Sequence, residues 1–124
     1  MKINKIHDGD LTILDLKGKL VMGDGDELLR ETVTGLIAEG RTAIALNLAD
    51  VPYIDSGGLG EIVRCYTVVS RKNGKLKLLN MNKRIHDLLS ATKLLSFFND
   101  DDDWPSGASG VTSLGAAIKD KAQK

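Results

Sequence analysis

The chain has 124 residues, 42% of them hydrophobic and 27% charged, which is the composition of one soluble domain with enough apolar mass for a core. Seventeen acidic residues balance seventeen basic ones, so no global field favours nucleic acid or an anionic membrane surface. Cys65 is the only cysteine, residues 1–5 lead into no long apolar run, and no stretch approaches the roughly 18 apolar residues of a membrane span; no disulfide framework, signal peptide or membrane span is expected, and a reducing cytoplasm is.

Residues 2–7 and 11–17 read as two short strands, joined by Asp8-Gly9-Asp10, a hairpin turn signal. Residues 22–25 are a glycine-rich connection. Asp24 or Asp26 then caps a helix running to about Glu39, with Leu29, Val33, Leu36 and Ile37 on one face. Gly40 is a natural helix stop. Residues 42–48 are nearly continuous apolar, the pattern of a buried central strand parallel to a neighbour. A second helix is expected from about Gly57 to Lys72, with Leu59, Ile62, Val63, Tyr66 and Val69 inward and Cys65 as a small core residue; Asn73-Gly74 ends it. Residues 75–79 form another strand. Asn80 or Asn82 caps a third helix with Ile85, Leu88 and Leu89 inward, and residues 94–98 suggest a short last strand. A final helix is expected over residues 110–121, carrying Val111, Leu114 and Ile118. The alternation of strand and helix implies an α/β layered domain, and the opening hairpin makes its sheet mixed.

The densest chemistry lies at Val51-Pro52-Tyr53-Ile54-Asp55-Ser56-Gly57-Gly58-Leu59-Gly60. Three readings of Ser56 compete. In the first it is the N-cap of the second helix, worth about 1 kcal/mol. That leaves the glycines unexplained, since each interior one lowers helix stability by roughly 1 kcal/mol unless backbone must come close to something. In the second, Ser56 is a nucleophile, because Asp55-Ser56-Gly57-Gly58 matches the string around the serine of chymotrypsin-like proteases. A triad needs a placed histidine, however, and nothing marks His7 or His86 as the base. The motif also lacks the Gly-x-Ser-x-Gly of a nucleophile elbow. In the third, Ser56 is a phosphorylation site at a helix start, where added negative charge is favoured.

Other features carry less. Two separated histidines and one cysteine make a poor metal site. The acidic run 100–103 lacks the spaced ligands of a calcium loop. Glu61 and Arg64, three apart, either pair with each other or face a partner, and both are expected on the exposed side of the helix. No phosphate-binding glycine motif is complete, so no cofactor is expected.

The sequence resembles the STAS family of bacterial anti-sigma-factor antagonists. The resemblance is carried by Gly18-Lys19-Leu20, by residues 45–51 running into Tyr53-Ile54-Asp55-Ser56, by Gly58-Leu59-Gly60 and by residues 76–80. It implies a single STAS domain over residues 1–124, with a core over about 3–98 and a mixed sheet of four to five strands with about four α-helices. It also implies partner switching. The unphosphorylated protein binds an anti-sigma factor with GHKL-type serine kinase activity and frees the sigma factor. Phosphorylation of Ser56 reverses that binding, and a metal-dependent serine phosphatase resets it. Asp24, Asp55, Ser56, Gly57, Gly58, Leu59, Glu61 and Arg64 are the expected partner-binding residues. The antagonist is then a kinase substrate and not an enzyme, with no cofactor or metal, no nucleic acid and no membrane among its partners. The alternative is a STAS scaffold or regulatory subunit of a sensor, transporter or lipid-transport complex that does not switch. Two positions depart from the family pattern. Gly57 stands where Ser or Thr is common. Val21-Met22-Gly23-Asp24 follows Leu20 where an aspartate is common, so Asp24 either supplies a displaced carboxylate or that contact is missing.

Overall fold

The computed structural model of the chain describes residues 1–98. The predicted 110–121 helix and the acidic run lie outside the described residues. Strands β1 (Lys2–Asp8) and β2 (Leu11–Lys17) form the antiparallel hairpin, with Gly9 in its turn at φ 61°. Helix α1 (Asp26–Ala38) leads to β3 (Ala43–Asp50), α2 (Ser56–Arg71) to β4 (Lys75–Leu79), and α3 (Lys83–Ala91) follows. The sheet order is β1-β2-β3-β4, with β2, β3 and β4 parallel. These described residues thus give a mixed sheet of four strands with three α-helices.

Strand alternation sorts the apolar residues into two faces. Leu14, Leu46 and Leu78 stand side by side in register on β2, β3 and β4. They pack with Leu29, Val33 and Leu36 of α1, Ile62, Cys65 and Val69 of α2, and Ile85 and Leu89 of α3. Leu11, Ile13, Ala43 and Ala45 form a smaller buried cluster on the opposite face.

Helix ends follow local chemistry with one exception. Gly40, at φ 80°, stops α1, and its N–H bonds Ile37 O. Asn82 caps α3, its side chain accepting from Ile85 N at 2.8 Å. The cap of α1, however, is Gly25 at φ 106°, with no side-chain bond, and neither Asp24 nor Asp26 takes that place. Asp26 sits one residue later and accepts from Gly23 N and Glu27 N instead. The expected strand at 94–98 is a 3-10 turn over Leu95–Phe98. Lys93 at φ 61° turns the chain back, Leu94 N bonds Leu89 O, and the buried Phe98 meets Tyr66 edge-on at 5.4 Å. A short apolar run does not by its pattern alone separate a strand from a tight turn.

Candidate functional site

Parallel strands place their carboxyl ends on one edge of the sheet, and the loops leaving them meet there. The β2–α1 loop and the β3–α2 loop are tied together at this edge. Gly18 N bonds Asp50 O, Leu20 N bonds Tyr53 O, both at 3.0 Å, and Asp55 N bonds Leu20 O at 3.3 Å. The result brings residues 20–22 directly over the start of α2.

Asp55, not Ser56, is the N-cap of α2. Its backbone is extended, and its carboxylate accepts from Gly58 N at 2.8 Å. The same carboxylate accepts from Met22 N at 3.1 and 3.2 Å. One side chain thus satisfies the helix start and clamps the neighbouring loop. The Gly58 bond, with those from Met22 and Gly57, holds the Asp55 carboxyl below its ordinary range. A depressed folded value means that the clamp persists as pH falls through the usual aspartate range and is lost only as pH falls through the folded value.

Ser56 is therefore the first helical residue, exposed, with no capping duty. The helix-start donor at Gly58 is already taken by Asp55. No histidine serves it as a base among the described residues. His7 Nδ1 bonds Thr12 Oγ1, and His86 faces Asp87.

The glycines divide by cause. A Cβ on Gly58 would stand 2.0 Å from Leu20 O, and one on Gly57 would stand 2.7 Å from Met22 Cβ. Both are forced by the loop that crosses them. A Cβ on Gly60 would meet nothing within 4 Å. Met22, missed as a site residue from sequence, is 71% exposed beside Gly57. The signal for it was Gly57 itself, which marks a close approach without saying by what.

Glu61 departs from its expected exposed position: it is 3% exposed, inside the α1–α2 contact. Arg30 Nε and Nη2 reach its Oε1 at 3.0 Å, Arg64 Nε reaches Oε2 at 2.8 Å, and the Cys65 thiol donates to Oε2 at 3.2 Å. The buried carboxylate is thus fully partnered, as a buried charge must be. Burial, reinforced by that Glu61 contact, pushes the Cys65 thiol well up, so it stays a protonated donor. Glu61 thus links α1 to α2 instead of facing solvent. Asp24 is exposed in the β2–α1 loop, where its carboxylate accepts from the Met1 amino group at 3.1 Å. Leu59 and Arg64 are half-buried, Leu59 against the core. Among the described residues no group of three or more His, Cys, Asp and Glu is placed to hold a metal, and no helix is long and apolar enough to cross a membrane.

The profile of the STAS domain family matches residues 2–105. The chain belongs to the STAS domain family. The anti-sigma-B factor antagonist of Bacillus subtilis is 37% identical over 67 residues, a match spanning 54% of this chain and 61% of that relative. The anti-sigma F factor antagonist of Paenibacillus polymyxa is 26% identical over 94 residues, 76% of this chain and 80% of that one. A crystal structure of a candidate anti-sigma factor antagonist from Thermotoga maritima superposes with a TM-score of 0.73 at 26% identity, covering 77% of this chain and 82% of the other.

In this STAS domain the residue after Ser56 cannot regain a hydroxyl freely. Gly57→Ser would drive its Cβ into Met22 Cβ and against the Met22 backbone. Thermal unfolding should show a loss of about 1–3 kcal/mol, the usual cost of overpacking.

Proposed function

We propose that this STAS domain is an anti-sigma-factor antagonist that works by partner switching. Its anti-sigma-factor antagonist relatives support the general role. The observation that carries the switch is the division of labour at α2: Asp55 holds the structure while Ser56 stands exposed and structurally idle. Modifying Ser56 then changes the surface and leaves the fold alone.

In this reading the unphosphorylated domain binds an anti-sigma factor that is also a GHKL-type serine kinase, and the sigma factor goes free. Phosphoryl transfer moves the γ-phosphoryl of ATP onto Ser56 Oγ. The hydroxyl proton passes to a base on the kinase, and ADP leaves. The new group carries about −1.5 to −2 charges at neutral pH beside Asp55. Charge and bulk at the centre of the contact expel the partner. A metal-dependent serine phosphatase hydrolyses the ester and restores the binding form. The domain supplies the acceptor and the docking surface, acts in the cytoplasm, and is a substrate without catalytic groups or cofactor of its own.

The test is to incubate the protein with ATP and lysate of the source organism and to map phosphate by tandem mass spectrometry. Phosphate on Ser56, absent without ATP, is expected. An unmodified Ser56 in a lysate that phosphorylates other antagonists contradicts the switch and leaves a constitutive scaffold.

A further inference from the structure

Three helices cover one face of the sheet, yet the other face is equally dry. Leu11 and Ile13 of β2 stand in register with Ala43 and Ala45 of β3, with Ile6 and Leu79 packed beside them. Ile13 and Ala45 are 0% exposed, and Leu11 is 2% exposed. Strand side chains stand out from the sheet, so they reach such burial only beneath a second layer. No described helix supplies that layer. The buried hydrophobic side chains of α1, α2 and α3 all belong to the larger core on the first face.

We infer that residues 110–121 of this same chain are the missing layer, a helix laid across the second face with Val111, Leu114 and Ile118 turned toward Ile13 and Ala45. Spacings of three and four put those three side chains on one stripe. A helix over 110–121 is about 18 Å long, and the three strand spacings from β1 to β4 come to about 14 Å, so the lengths match. The chain leaves the described residues at Phe98, from a 3-10 turn packed on α3 and on the edge strand β4. From there to residue 110 an extended chain spans up to about 40 Å, ample to round the β4 edge. Charge favours that route. Lys75 and Lys77 are in register with Ala43 and Ala45, which places them on the second face of β4. Asp100–Asp103 are the first charged residues after Phe98 and pass this basic edge as the chain crosses it. The STAS profile ends at residue 105, before the segment begins. Phosphorylation of Ser56 plays no part in this packing.

The test is thiol accessibility in the full chain. Ala45→Cys places a thiol beneath the inferred layer, and Ala43→Cys gives the same reading two residues along if the first variant does not fold. The native Cys65, buried on the first face, reports whether the rest of the fold holds. Labelling by a water-soluble aromatic disulfide, with peptide mapping, follows each thiol separately. Both thiols should react at least about a hundredfold more slowly than in the urea-unfolded chain, since each is reached only by opening. Adding Leu114→Asp and Ile118→Asp should speed labelling at position 45 at least about tenfold and leave Cys65 slow, because buried carboxylates drive the segment off the sheet. Should that pair also release Cys65, Leu114→Ala with Ile118→Ala is the milder pair, and the same separation of the two thiols is expected. Fast labelling at position 45 without any C-terminal change overturns the inference, as nothing then covers the face. Unchanged protection at position 45 in both pairs overturns it too, and so does release of both thiols together by the milder pair. Protection that is lost on dilution makes the cover a second copy of the chain and likewise overturns it.

Discussion

Gly58→Ala should be among the most damaging single substitutions in this domain, lowering stability by about 3–5 kcal/mol and the melting temperature by more than about 10 °C. The added Cβ would lie 2.0 Å from the carbonyl oxygen of Leu20 and 2.8 Å from its carbonyl carbon. Both are backbone atoms, so no rotamer change relieves the clash. Relief requires moving the β2–α1 loop away from α2. That movement strains the Leu20–Tyr53 and Asp55–Leu20 bonds, and with them the Asp55 clamp on Met22. The neighbouring Gly60→Ala, in the same helix and free of contacts, is expected to stabilise. A difference of opposite sign two residues apart separates close approach from helix propensity. Equal melting temperatures for Gly58→Ala and wild type, measured by calorimetry, would show that the loop does not lie over α2 as described.

Under the proposed switch, Ser56→Asp should fold like wild type and bind the kinase at least about a hundredfold more weakly, close to 3 kcal/mol of binding free energy. The fold is spared because Ser56 caps nothing and its side chain faces solvent. An acidic residue at a first helical position is also mildly favoured by the helix dipole, by about 0.3–1 kcal/mol. Binding is lost because the new carboxylate stands beside Asp55, whose own carboxyl is held ionised by Gly58 and Met22. Two adjacent negative charges at the middle of a desolvated contact are costly to cover. Ser56→Ala is the matching control: it keeps the neutral surface and should bind as wild type. Circular dichroism of all three proteins, paired with titration against the kinase, checks both halves. An Asp variant that binds as tightly as Ala would place Ser56 outside the contact.

Much of the frame was legible because it rests on local rules. Asp8-Gly9-Asp10 named the hairpin, Gly40 named the end of α1, Asn82 was one of two caps named for α3, and the apolar run after Arg41 named the central parallel strand. The errors came where local rules left two answers or where a distant segment decided. Asp55 and Ser56 are both good caps, and the one used is Asp55, whose carboxylate also accepts from Met22, 33 residues away. Glu61 looked solvent-facing as any charged helical residue does, until Arg30 of α1 arrives from 31 residues away to pair with it. The glycines were readable as a demand for close approach. That the approaching group is the chain's own Leu20, over Gly58, and Met22, over Gly57, required the fold.

In the proposed switch, phosphate on Ser56 releases the partner. Kinase from lysate is bound to immobilised wild-type protein and to immobilised Ser56→Ala, and ATP is then added to both. Release from wild type, in step with phosphate appearing on Ser56, and continued retention on Ser56→Ala are expected. Release from both surfaces alike, or retention on wild type after Ser56 is fully phosphorylated, would contradict it.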